Sequence, residues 1–139
     1  MKALVIDDEP DVRTPLAASI KLAGYEQVDM AATGEEALGL ALQTHYDLVT
    51  VDLQLPGIGG LEILSVLRTI APHSIIAIIS AYTERIADEN AQYADLTLSK
   101  PFRVETIRHL AQFARETAEI LAAIQALGIS PDRGDDEEG

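Results

Sequence analysis

Asp47-Leu48-Val49-Thr50-Val51-Asp52-Leu53-Gln54-Leu55-Pro56-Gly57 sets a short apolar and β-branched run against a lone carboxylate, then against a loop rich in proline and glycine. A run of this kind, bounded by turn residues, reads as a strand buried on both faces, and Pro56-Gly57-Ile58-Gly59-Gly60 reads as the turn into a helix. The same grammar recurs on either side. Leu4-Val5-Ile6 runs into Asp7-Asp8, Ile75-Ile76-Ala77-Ile78-Ile79 runs into Ser80, and a strand pattern ending at Ser99 runs into Lys100-Pro101. Strands are expected over 2–6, 25–31, 48–51, 74–79 and 95–99. They alternate with helix-period segments over 10–23, 34–44, 60–70, 83–92 and 102–127. Alternation of this kind predicts an α/β protein with a doubly wound, five-stranded parallel sheet, (βα)5, carrying helices on both faces.

Punctuation supports the map. Gly24 falls where a left-handed residue ends the first helix, and Thr33 can cap the second with Glu36 completing a capping box. Proline is well tolerated only in a first helical turn, so the pair Pro10 and Pro15 favours a first helix beginning with Thr14 as cap and Pro15 directly after it. Pro101 lies in a tight strand-to-helix turn, where a cis Lys100–Pro101 bond is expected.

The chain has 139 residues, 47% of them apolar, enough for one core. One domain is expected over 1–128, followed by a disordered acidic tail over 129–139 that ends Asp-Asp-Glu-Glu-Gly. There is no cysteine, which rules out disulfides and thiolate metal sites. Net charge is −13 with ten Lys and Arg and no basic cluster, which argues against contact with nucleic acid. The chain opens directly on a strand pattern, and no stretch is long enough to span a bilayer, so the expectation is a cytoplasmic protein without membrane attachment. His45, His73 and His109 are scattered and read as surface residues. No internal repeat, linker or output domain is evident, so the chain is expected to act alone.

Ligands of open parallel sheets bind beyond the carboxyl ends of the strands, where strand order reverses. That rule brings Asp7, Asp8, Asp52, Ser80 and Lys100 to one rim. Carboxylates crowded there repel one another, and a hard cation with a preference for oxygen, Mg²⁺ above all, is the natural compensation. A carboxylate can also attack a phosphoryl group once charge on the equatorial oxygens is neutralised. Asp52 is then the candidate nucleophile, Lys100 a mobile charge for a phosphate oxygen and Ser80 a hydroxyl donor. Taken alone, each cluster has a bland explanation: Asp7-Asp8 as a capping region, Ser80 bonding backbone at a strand end. Their joint register is what weighs against it.

Val5-Ile6-Asp7-Asp8-Glu9-Pro10, the stretch 47–57, Ile79-Ser80-Ala81-Tyr82 and Lys100-Pro101-Phe102 together resemble the receiver domain of bacterial response regulators, in order and spacing over about residues 2 to 115. The resemblance implies a flavodoxin-like strand order and a Mg²⁺-dependent phosphoacceptor that signals through protein contacts rather than by enzymatic turnover. Residue by residue, it implies Asp52 as phosphoacceptor and Asp8 as direct metal ligand. Asp7 would act through a metal-bound water, Gln54 through its backbone carbonyl, Ser80 as the switch hydroxyl and Lys100 as the phosphoryl-pairing lysine. The implied partners are a histidine kinase or phosphotransfer protein and a downstream protein that the sequence does not name.

Two departures stand out. Thr97 occupies the position, three before the lysine, where the family usually has an aromatic ring, and the segment leading to it is polar and a little short. These motivate a rival reading, a pseudo-receiver that works without phosphorylation as a dimerisation or adaptor module. An aspartyl-phosphate phosphatase would want a second Asp two residues after the first, and Asp7-Asp8-Glu9 does not supply it.

The last helix outruns the sheet, reaching about 39 Å over 102–127 at 1.5 Å per residue. Ile107, Leu110, Ala114, Thr117, Leu121 and Ile124 read as one stripe widened by Phe113, Ile120 and Leu127. Beyond Arg115 this stripe has no evident partner within the chain, which suggests a homodimer or a docked protein, against the plain alternative of a helix folded back on its own domain.

Overall fold

The computed structural model describes residues 1–81 and 92–128. Its elements are β1 (Lys2–Ile6), α1 (Pro10–Leu22), β2 (Gln27–Ala31), α2 (Gly34–Gln43), β3 (Leu48–Val51), α3 (Gly60–Ile70), β4 (Ile75–Ser80), β5 (Leu96–Ser99) and α4 (Val104–Leu127). The helix expected over 83–92, all but its last residue, and the tail over 129–139 lie outside the described residues. The sheet order is β2-β1-β3-β4-β5, every neighbouring pair parallel. This is the flavodoxin-like order: β1 is flanked by β2 and β3, so the chain reverses direction across the sheet there and opens a crevice at the carboxyl ends of β1 and β3.

Side chains alternate across a strand, and here each face finds an apolar layer. Val5, Leu48, Ala77 and Ile79 pack with Leu16 and Ile20 of α1 and with Ile107, Ala111 and Ala114 of α4. Leu4, Ile6, Val49, Val51, Ile76 and Ile78 face the other way, against Ala37 of α2 and Ile63, Leu64 and Leu67 of α3. At about 1.5–3 kcal/mol for each large side chain fully buried, the two layers supply the main driving force for the sheet to form. Arg68, near the end of α3, ties the far edge: its guanidinium donates to the main-chain oxygens of Tyr93 and Ser74 at 3.1 and 2.8 Å and to Asp95 at 2.8 Å.

Several boundaries differ from the sequence expectation. α1 begins at Pro10, with Glu9 at its cap and Pro10 in the first turn, so Thr14 is not the cap and Pro15 lies inside the helix. The main-chain oxygen of Glu9 accepts from Val12 and Arg13, and Arg13 Nη1 donates to the main-chain oxygen of Asp7 at 2.8 Å, which anchors the earlier turn. Pro15 leaves one carbonyl of that turn without a helical partner, and it does so where Asp11 and Pro15 are both exposed and water can supply one. β2 begins at Gln27 rather than residue 25, because Tyr25 turns into the core and donates its hydroxyl to the Ala111 main-chain oxygen at 2.8 Å. β4 includes Ser80 as its last residue. Thr33 caps α2 as expected, its hydroxyl accepting from Glu36 N–H at 3.1 Å, while Glu36 reaches back one residue further, to Ala32 N–H, at 2.8 Å. Gly24 is left-handed with φ 106°, and the Lys100–Pro101 bond is cis.

α4 starts at Val104, and its apolar residues do not form one wide stripe. Ile107, Leu110, Ala111 and Ala114 are buried, whereas Phe113, Ile120, Ile124 and Leu127 are exposed.

Candidate functional site

The rim is assembled from four strand ends. β1 delivers Asp7, 1% exposed, and then Asp8 and Glu9, both exposed; β3 delivers Asp52, 4% exposed. Lys100 follows β5, and Ser80, fully buried at the end of β4, pairs in register with Ser99 just before it. The main-chain N–H of Lys100 donates to the Ser80 oxygen at 2.9 Å, which holds the lysine loop against β4.

Lys100 Nζ is the hub of the site. It lies 2.9 Å from Asp7 Oδ2, 3.1 Å from Asp52 Oδ2 and 3.6 Å from Glu9 Oε1. The second oxygens of the two buried carboxylates are held by backbone: Asp7 Oδ1 accepts from Glu9 N–H at 2.9 Å, and Asp52 Oδ1 accepts from Gln54 N–H at 3.1 Å. Each carboxylate is therefore fixed in orientation by the turn that follows its own strand.

Electrostatics follow from burial. Desolvation pushes the Asp7 carboxyl above its ordinary value, even though its hydrogen bonds to Lys100 and Glu9 N–H pull the other way. Desolvation also works against the charged form of Lys100, and its hydrogen bonds to Asp7 and then Asp52 outweigh that, raising the ammonium pKa above the usual lysine value. One ammonium faces more carboxylate charge than it can neutralise. Asp7, Asp8, Glu9 and Asp52 each offer an oxygen, and the four oxygens lie within 4.8 Å of one another. A compact set of hard oxygen donors with surplus negative charge suits a small divalent cation of the Mg²⁺ type.

Of the residues singled out from sequence, Asp7, Asp8, Asp52 and Lys100 come together here, with Gln54 joined through its N–H and Ser80 through the β4–β5 register. Glu9 and Arg13 were not singled out. Glu9 reads in sequence as a first-turn acid, and its lateness in the Asp-Asp-Glu run is the one signal that it belongs to the cluster. Arg13, on the main-chain oxygen of Asp7, carries no signal without the helix start. Gly60 was read only as part of a turn, yet a Cβ there would lie 2.2 Å from the Asp52 main-chain oxygen. Thr97 is exposed on β5, the edge strand. Tyr82 lies outside the described residues.

A flavodoxin-like sheet with clustered carboxylates and a bridging lysine at its switch point defines a class: α/β proteins with an acidic site suited to a divalent cation beyond the carboxyl ends of the strands. Within that class the chain matches the response regulator receiver domain over residues 3–112, and it belongs to that family of two-component signalling proteins. It is 35% identical to response regulator MprA from Mycobacterium sp. (strain KMS), over 98% of this chain and 55% of that protein. It is 34% identical to sporulation initiation phosphotransferase F of Bacillus subtilis (strain 168), over 77% of this chain and 87% of the other. The chain thus spans about half the length of MprA and most of the shorter relative. Among solved structures it resembles the response regulator TrrA from Thermotoga maritima in complex with Mg²⁺-BeF, with TM-score 0.74 and 33% identity, covering 81% of this chain and 97% of that one. The receiver domain of AraT from Geobacillus stearothermophilus superposes with TM-score 0.77 at 31% identity, covering 87% and 97%. Among the described residues, no helix is long and apolar enough to cross a membrane.

Proposed function

We propose that the chain acts as a stand-alone receiver, its domain spanning 1–128, which takes a phosphoryl group from a histidine kinase or phosphotransfer protein onto Asp52 in the cytoplasm. The observation that carries this reading is Lys100 Nζ held between the buried carboxylates of Asp7 and Asp52 at 2.9 and 3.1 Å.

Asp8, Asp52 and the Gln54 backbone carbonyl would hold Mg²⁺, with Asp7 reaching it through water, and the ion would supply charge neutralisation on the phosphoryl oxygens. The Gln54 N–H holds Asp52 Oδ1 in place, which leaves Oδ2 as the attacking atom. Its lone pair forms the O–P bond while the bond to the donor breaks and that electron pair leaves with the donor. Lys100 then exchanges Asp52 Oδ2 for a phosphoryl oxygen, keeping Asp7 as its second partner, and the Ser80 hydroxyl donates to another. Water attack on phosphorus later returns Asp52 and inorganic phosphate, so the protein catalyses only its own modification. The signal leaves by contact with a downstream protein, without nucleic acid or membrane.

Intact mass after incubation with Mg²⁺ and a small acyl phosphate tests the assignment. One added phosphate is expected on the native protein and none on Asp52→Asn. No adduct, or an equal adduct on the variant, overturns it. The exposed apolar residues of α4 and the exposed Thr97 favour one second reading, an adaptor that works without phosphorylation. It predicts no adduct together with unimpaired partner binding.

A further inference from the structure

We infer that the amino end of the sheet carries a second cation site, a transition-metal site of the Zn²⁺ or Ni²⁺ class with His45, Asp47 and His73 as its ligands. In sequence the histidines lie far apart, at 45, 73 and 109. The fold brings two of them to one cavity of about 330 Å³ where α4 runs past the entries to β3 and β4. His45, Asp47 and His73 form one wall of it, and Ala118, Leu121 and Ala122 of α4 form the other. Two bonds between the entry segments set this up. Ile75 N–H donates to the Asp47 main-chain oxygen at 3.0 Å, and one residue earlier on each segment the Ser74 hydroxyl donates to the Tyr46 main-chain oxygen. The next step outward is His73 on one segment and His45 on the other, and neighbouring parallel strands lie only about 4.8 Å apart. The turn that carries His73 is itself held, because Arg68 Nη1 donates to the main-chain oxygens of Pro72 and Ser74 at 3.2 and 2.8 Å.

Asp47 is the fixed member of the set. Its main-chain N–H donates to the Lys2 oxygen at 2.8 Å and its Oδ2 accepts from Lys2 N–H at 2.9 Å, which commits one carboxylate oxygen and turns Oδ1 toward His45. Asp47 Oδ1 lies 3.7 Å from His45 Nε2. Two ligands held at roughly 2.0–2.2 Å from one ion in a tetrahedral shell stand about 3.3–3.6 Å apart, so this pair needs almost no movement. The His45 side chain is 66% exposed and His73 is exposed as well, so each ring can turn about its own torsions onto an ion while the backbone stays in place. An ion pair alone accounts for His45 beside Asp47, but not for a second imidazole on the same cavity wall. Donor type decides the ion. The rim offers carboxylate oxygens, which suit Mg²⁺, whereas two imidazole nitrogens and one carboxylate oxygen are a set that Zn²⁺ takes, with the fourth position left to water. The apolar wall of α4 shields that position on one side. Such an ion would tie the entries to β3 and β4 together. None of this rests on the acceptor assignment.

Calorimetric titration of the untagged full chain with Zn²⁺ tests this, in excess Mg²⁺ so that the carboxylate rim is already contested. One ion per chain is expected, and Co²⁺ in its place should give the intense visible bands of a tetrahedral site. His45→Ala and His73→Ala should each weaken Zn²⁺ binding by about tenfold or more, whereas His109→Ala and the rim variant Asp8→Asn should leave it unchanged. Both ligand histidines are exposed, so without Zn²⁺ the two variants should melt with the native protein. With Zn²⁺ they should lack the rise in melting temperature that binding to the folded state gives the native chain. No binding in excess Mg²⁺, binding that survives His45→Ala or His73→Ala, or binding abolished by Asp8→Asn would overturn the proposal.

Discussion

Gly60 should be indispensable to the proposed acceptor site although it bears no functional group. It opens α3, and its N–H donates to the Leu53 main-chain oxygen at 3.2 Å, which folds the Pro56–Gly60 loop back against the end of β3. A Cβ at this position would lie 2.2 Å from the Asp52 main-chain oxygen, 2.6 Å from Leu53 Cα and 3.0 Å from the Asp52 carbonyl carbon. All three are backbone atoms, so no rotamer change relieves the contact. Comfortable separations between such atoms begin near 3.5 Å, so Gly60→Ala requires the Asp52 backbone and the start of α3 to part by about 1 Å. Overpacking of this kind costs about 1–3 kcal/mol, which lowers the melting temperature by roughly 5–10 °C for a domain of this size. The larger consequence is geometric. Asp52 Oδ2 sits 3.1 Å from Lys100 Nζ, and a displacement of about 1 Å in a reacting group can lower a rate on the order of 100-fold. The assay is the initial rate of phosphate addition from a small acyl phosphate at saturating Mg²⁺, followed by intact mass beside a thermal melt. Gly59→Ala is the matched control, because a Cβ there meets only Glu62 Oε1 at 3.8 Å. A Gly60→Ala protein with native rate and melting temperature would refute the reasoning, as would a Gly59→Ala protein equally impaired.

Tyr25 sets an alkaline limit on stability. Burial, and then the field of Asp47, pushes its phenol up to about 12, against the lowering influence of Arg115. The unfolded phenol ionises near 10, so between about pH 10 and 12 the folded state keeps a proton that the unfolded state has lost. Its contribution is fully present below pH 10 and is lost as pH rises through 12, at most about 2.7 kcal/mol for a shift of this size. Tyr25→Phe should lose about 1 kcal/mol at neutral pH with its bond to Ala111 and show a flatter decline in urea midpoint above pH 10; equal slopes would contradict the assignment. Thr50 Oγ1 is a buried side-chain oxygen without a hydrogen-bond partner, and no other such atom occurs among the described residues. Thr50→Val should therefore raise stability by about 1–2 kcal/mol with no change in the rate of phosphate addition, and a loss of stability in the urea midpoint would show that the hydroxyl is satisfied.

How far the chain could be read before its structure was known depended on how local each signal was. The strand runs Leu4-Val5-Ile6 and Ile75 to Ile79 are apolar on both faces because both faces are covered, and the residues after them land on one rim by topology alone. That is why the convergence of Asp7, Asp8, Asp52, Ser80 and Lys100 on one rim was legible. The start of α1 was not. Two prolines five residues apart each fit a first turn, and the choice between them is made by Arg13 reaching Asp7, a contact that exists only after β1 and α1 have docked. Glu9 and Gly60 were missed for a related reason: a first-turn acid and a loop glycine are locally ordinary, and what distinguishes them is a lysine and a carbonyl brought from elsewhere in the fold.

The last helix shows the same limit from the opposite side. Read along the sequence, its apolar residues merge into one stripe, because steps of three and four serve a core face and an exposed line alike. The sheet separates them: it reaches Ala114 and no further, and it takes the line through Ile107, Leu110 and Ala111. What remains is offset around the helix and continues past the sheet. The helix stays tied to the rim all the same, since α4 begins four residues after Lys100 and its buried turn packs against β4 and α1.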